Sequence, residues 1–157
     1  MSGRSAVSAM DGLLLRIERI IAAPDAALAK EAPTVTDELL AIGEQILEYW
    51  LAARSAVPTT GSLEGFRLLA LHRQGAQGDP SFNACRETCR ELVYHYNLIR
   101  RGPGDPEAVR RIRLGAMVAR HLALFMAGKL ESASVGEFCC SSRPLRACEA
   151  PPNAESP

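Results

Sequence analysis

Hydrophobic positions recur along most of this chain at gaps of three and four, the spacing of one face of an α-helix. Met10, Leu13, Ile17 and Ile20 form the first stripe, in a helix expected from about residue 6 to residue 22. A short helical turn is expected over residues 24–30. A second long helix, over about residues 35–55, turns Leu39, Ile42, Ile46, Trp50 and Ala53 inward and sets Asp37, Glu44 and Glu48 on the opposite face. Thr34 is placed to cap it, with Asp37 three residues later as a variant of the capping box. A third helix, about residues 62–74, carries Phe66, Leu69 and Ala70.

Asp79-Pro80 then gives the clearest start signal in the chain, a capping acid followed by proline at the first helical position. The fourth helix is expected from there to about Arg101, with Cys85, Cys89, Leu92, Tyr96 and Ile99 on one stripe. Asp105-Pro106 repeats the device and opens a fifth helix, expected to run to about Glu131. From Leu114 to Leu130 this helix is apolar nearly all round, which predicts a helix surrounded by others. The six prolines before residue 140 all fall where a helical stripe starts or stops, and no segment alternates as a strand does. The fold class is therefore all-α: a single-domain bundle of about five helices over residues 1–133, with a Cys- and Pro-containing tail, 134–157, expected to be largely irregular.

Composition narrows the function classes. The chain has 157 residues and no net charge, with 18 Lys+Arg against 18 Asp+Glu, so a general nucleic-acid or membrane-surface binder is disfavoured. The longest apolar stretch is interrupted by Arg120 and His121, so no membrane span is expected. The chain opens without a basic start followed by an apolar core, which makes the cytoplasm the expected location. Nearly all its basic residues are arginine, and the two lysines, Lys30 and Lys129, read as coding bias and not as a binding signal.

Charge is uneven along the chain. Residues 5–62 carry four bases against eight acids, and residues 63–130 carry eleven against six. Arg100, Arg101, Arg110, Arg111 and Arg113 cluster around the turn between the last two long helices. One reading has the two halves pairing within the bundle or in a symmetric dimer. The other makes these arginines a patch that docks an acidic protein partner, a phosphate ligand or RNA, with the few interleaved aromatics counting against single-stranded nucleic acid.

The candidate chemistry lies in thiols and imidazoles. Cys85 and Cys89 share a helix face, and Cys139, Cys140 and Cys148 follow the last helix. Together they are candidate ligands for zinc or an iron–sulfur cluster, or a thiol-based redox sensor, although C-x₃-C and a vicinal pair are not metal-knuckle spacings. Cys85 and Cys89 read first as small core residues on the stripe with Leu92, Tyr96 and Ile99. His72, near a helix end, suits the helix dipole. Glu91 and His95 line one side of the fourth helix and His121 lies in the apolar fifth, which makes them candidate cofactor contacts. No catalytic nucleophile motif, P-loop or dinucleotide fingerprint occurs. The sequence thus points first to a small non-enzymatic regulatory or adaptor protein without a cofactor, working through a protein partner or a second copy of itself. The thiol or metal protein stands second, and a cofactor-binding helical enzyme third.

Overall fold

A computed structural model of the chain describes residues 3–134. The remaining tail lies outside the described residues, and with it Cys139, Cys140 and Cys148. The described part is an all-α bundle: α1 (Gly3–Ala22), α2 (Asp25–Lys30), α3 (Ala32–Ala53), α4 (Arg67–Ala76), a 3₁₀ helix (Pro80–Cys85), α5 (Arg86–Arg101) and α6 (Ala108–Ser134). The last helix is the hub, packing against α1, α3 and α5. No described helix is long and apolar enough to cross a membrane.

The stripes read from the sequence are the core. Met10, Leu13, Ile17 and Ile20 of α1, Leu39, Ile42, Ile46 and Trp50 of α3, and Ile112, Ala116, Ala119, Ala123 and Met126 of α6 are all buried. Alanines on that face of α6 bring its neighbours close, and a side chain of Leu size there would hold them apart. The expectation that α6 is enclosed all round needs correction. Met117, His121 and Leu124 form an outward stripe, because no helix among the described residues covers that side.

Three further expectations change. The helix α3 begins at Ala32, with Glu31 at its cap and Pro33 in its first turn, so Thr34 lies inside the helix and is not its cap. Proline fits the first turn because its missing N–H has no helical partner there. The third helix starts at Arg67, five residues later than expected. Leu63 and Phe66 close a tight turn by exchanging both backbone hydrogen bonds at 3.0 Å, with Glu64 and Gly65 at positive φ. The long helix expected after Asp79 divides into the 3₁₀ turn and α5. Its cap is as read: Asp79 accepts from the Ser81 N–H at 3.2 Å and Pro80 opens the helix.

The charge halves meet inside the molecule. Arg67 pairs with Glu44 and Glu48, Arg120 with Glu18, and Arg113 with Asp25.

Candidate functional site

The corner where α4, the 3₁₀ helix and the start of α5 meet the last turns of α6 collects most of the buried polar side chains of the described residues, His72, Ser81 and Lys129. The side chain of Phe82 is fully buried between Trp50 and His72, with ring centroids 5.9 and 5.7 Å away. It fits because Gly75 faces it without a side chain: a Cβ there would stand 2.5 Å from the Phe82 ring. Seating Phe82 fixes the path of the 3₁₀ backbone and presents the Phe82 carbonyl to two side chains. The His72 Nε2–H donates to it at 2.9 Å, and the Cys85 thiol donates to it at 3.3 Å.

Cys85, His72 and Cys89 therefore converge. Cys85 is 1% exposed, Cys89 is fully buried, and His72 is 8% exposed. When Cys85 is a thiolate it accepts hydrogen bonds from the Cys89 thiol and from His72. The Cys89 bond is the largest influence and holds the Cys85 thiol down to about 6. Burial opposes it, and the bond and charge of His72 and the charge of Lys129 add to it. The same bond, with burial, pushes Cys89 well above the ordinary thiol range. Burial works against a charged His72, but its bonds to Cys85 and to the Phe82 carbonyl outweigh that and raise it. The contact thus lowers one thiol and raises the other, beside an imidazole raised above its ordinary value.

Behind this group Lys129 enters the core from α6, 3% exposed. Its ammonium lies 4.8 Å from the centre of the Trp50 ring, 5.2 Å from Phe82 and 5.8 Å from Phe125, within cation–π range of all three. It bridges to Asp79 at 3.1 Å and donates to the Ser81 hydroxyl, which donates in turn to Asp79. Arg54 reaches Asp79 at 3.4 Å and stacks over Trp50. Burial raises Asp79, yet the bonds from Ser81 and Lys129 prevail and hold it below the usual carboxylate range. Asp79 therefore caps the 3₁₀ helix and neutralises the buried ammonium at once.

On the solvent side of His72 lies a cleft of about 310 Å³, with Leu63, Leu69 and Ala76 on its apolar wall and Arg73, Arg86 and Arg90 at its rim. His72 separates this cleft from Cys85, which it touches.

The other sequence candidates fall elsewhere. Glu91 lies 3.6 Å from His95, which is buried and has no hydrogen-bond partner for Nδ1. His121 is exposed and shares a groove of about 280 Å³ with Glu91, Met117 and Val118; His95 does not line it. Arg113 is tied to Asp25 at 2.6 Å and donates to the carbonyls of Ile21 and Ala23. Arg111 pairs with Asp105, Arg110 with Glu107 and Arg100 with Asp37, while Arg101 is exposed. His72 stands beside Cys85 and Cys89, but among the described residues no group of three or more His, Cys, Asp or Glu side chains is arranged to hold a metal ion.

His72 and Lys129 are the residues that sequence reasoning missed. A signal for each was present. His72 continues the stripe of Leu68 and Gly75, and Lys129 falls on the stripe of Ala119, Leu122 and Met126, so both belong on inward faces.

Fold and site together define an all-α bundle with a buried Cys–His–Cys group at one corner. Comparison with protein families, with curated proteins and with solved structures found no match to the chain.

Proposed function

We propose that the protein is a thiol-based redox-responsive regulator whose reactive group is Cys85. The observation that carries this reading is that His72 and Cys85 are gathered on one carbonyl, that of Phe82, at 2.9 and 3.3 Å, with Cys89 buried one helical turn beyond Cys85. A thiolate is the nucleophile in thiol chemistry, and here it has a proton donor on one side and a second thiol on the other. Burial of both sulfurs restricts the oxidant to something small, such as hydrogen peroxide entering past His72.

The Cys85 thiolate attacks one peroxide oxygen and the O–O bond breaks. The other oxygen leaves as hydroxide and takes the proton of His72 to form water, and Cys85 becomes a sulfenic acid. Cys89 then attacks that sulfur, losing its proton as hydroxide departs, and a disulfide and a second water result. Helical neighbours four apart have Cβ atoms about 5–6 Å apart, whereas a disulfide needs about 3.8 Å. The bond must therefore pull at the junction of the 3₁₀ helix and α5, whose far end holds Asp79 and Ser81 against Lys129. A 3₁₀ turn, with its poorer hydrogen-bond geometry, is the element suited to yield. The regulatory output is a rearranged corner, read by a partner.

The test uses the full chain with Cys139, Cys140 and Cys148 replaced by serine. Titration of ultraviolet thiolate absorbance should show one thiolate forming with a midpoint at about 6. Cys85→Ser should abolish that step, and His72→Gln should move it upward. Peroxide should then remove two hydrogens from the protein mass and link Cys85 to Cys89, while Cys89→Ser should stop at a sulfenic acid trapped by dimedone. A first thiolate appearing only in the ordinary thiol range, or a mass unchanged by peroxide, would overturn the reading.

A further inference from the structure

The cleft outside His72 has a composition that the thiol chemistry does not require. Arg73, Arg86 and Arg90 line it and no carboxylate among the described residues does. Arg90 is committed, holding Glu64 through two hydrogen bonds at 2.8 and 3.1 Å. That bond holds Glu64 below the usual carboxylate range, with the charge of Arg86 contributing. Arg73 and Arg86 are exposed and have no ion-pair partner among the described residues, whereas most other arginines of the bundle are paired. Glu64 and the nearby charge of Glu87 are taken up by Arg90, so the guanidiniums of Arg73 and Arg86 stand without an ion pair beside the apolar wall of the cleft. The buried His72 lines the same cleft and is raised above its ordinary value, so a proton on it is favoured relative to a free imidazole.

We infer that this cleft is a binding site for a small organic acid: an anionic head held by Arg73 and Arg86, and a hydrocarbon body against Leu63, Leu69 and Ala76. The volume of about 310 Å³ is at the lower end of the range for small-molecule sites, which excludes large ligands. Guanidinium groups hold a carboxylate or phosphate through paired charge-assisted bonds, so the head can be either, and the body decides between an organic acid and the free ion. Asn83, on the 3₁₀ helix, lines the same cleft and supplies a neutral polar contact. The inference stands on the cleft alone and does not need Cys85 to react.

The test follows the ring signals of His72 by NMR while the full-length protein is titrated with a panel of aromatic and aliphatic monocarboxylates, their neutral amides, phosphate monoesters and inorganic phosphate. At least one organic acid should shift His72 saturably, with its amide and inorganic phosphate each binding about tenfold more weakly. The double variant Arg73→Glu/Arg86→Glu should lose that binding, and Arg101→Glu, an exposed arginine elsewhere, should keep it. The Cys85→Ser/Cys89→Ser protein should still bind, which separates this result from the fate of the thiol reading. Inorganic phosphate binding as tightly as the acids would reduce the site to a simple ion site and overturn the inference. So would a panel without a saturable shift, or binding that survives the double charge reversal.

Discussion

The seam between α1 and α6 and the corner around Lys129 are both buried, yet they are held together differently. Ala6, Met10, Leu13 and Ile17 face Ala116, Ala119, Ala123 and Met126 across an apolar seam, with ion pairs such as Arg120–Glu18 kept to its edge. At the corner, His72, Ser81 and Lys129 are buried side by side with Asp79, Cys85 and Cys89. The seam draws its stability from area, which is non-directional and shared among many contacts. In the corner each group is the partner of another, so removing one leaves a buried charge or donor without its match. A structure that only needed stability would not require the second arrangement, because well-packed apolar residues in place of a buried ion pair often do as well or better.

The largest effect that separates the two regions is expected at Lys129. Its replacement by Met keeps the volume but removes the partner of Asp79 and Ser81, and it should cost about 3 kcal/mol in urea unfolding, as broken buried pairs do. Met126→Leu, a volume-conserving swap in the seam, should cost less than about 1.5 kcal/mol. Adding Asp79→Asn to Lys129→Met should restore much of the loss, because Asn caps a helix as well as Asp and carries no charge. Equal costs for Lys129→Met and Met126→Leu would show that the corner is only another piece of core.

Two glycines sharpen the same contrast at smaller scale. A methyl at Gly75 would meet the Phe82 ring at 2.5 Å, and that ring is pinned between Trp50 and His72. At Gly43, in α3, it would meet the Cδ2 of Leu92 at 2.8 Å, the free end of a side chain that can rotate away. Gly→Ala in a helix gains up to about 1 kcal/mol of propensity at either place. Gly75→Ala should therefore still lose about 1–3 kcal/mol from overpacking, whereas Gly43→Ala should fall close to neutral. Because Phe82 carries the carbonyl that orders His72 and Cys85, Gly75→Ala should also raise the Cys85 titration midpoint, and Gly43→Ala should not.

The seam was readable in the sequence and the corner was not. Met10, Leu13, Ile17 and Ile20 announce themselves by spacing, and Asp79-Pro80 marks its helix start by chemistry that acts within three residues. The break between the 3₁₀ helix and α5 has no such local sign, since six residues of 3₁₀ and α-helix differ too little in period. It is set by Phe82 finding the gap left by Gly75 in another helix. His72 and Lys129 each lie on a buried stripe, but an ionisable residue on such a stripe is read inward only when its partner is known, and Asp79 is fifty positions from Lys129 in the chain. Cys85 and Cys89 were legible as a buried pair, and what makes them unequal is the bond between them together with His72 on α4, which reaches Cys85 and not Cys89.

The smallest expected effects distinguish arginines that serve the bundle from arginines that only decorate it. Arg113 donates to the Ile21 and Ala23 carbonyls at 3.2 and 2.7 Å and meets Asp25 at 2.6 Å, so it satisfies acceptors that α1 leaves open where it ends. Arg100 reaches Asp37 at 3.5 Å, and both side chains are about half exposed. Arg113→Ala should cost about 1–2 kcal/mol in chemical unfolding, and most of that should persist in molar salt because carbonyl bonds are little screened. Arg100→Ala should cost less than about 0.5 kcal/mol and nothing measurable once salt is raised. If the two losses were alike and vanished together in salt, the end of α1 would be held by charge alone, and the cluster around the α5–α6 turn would be one solvated surface instead of one residue built into the fold with others left over it.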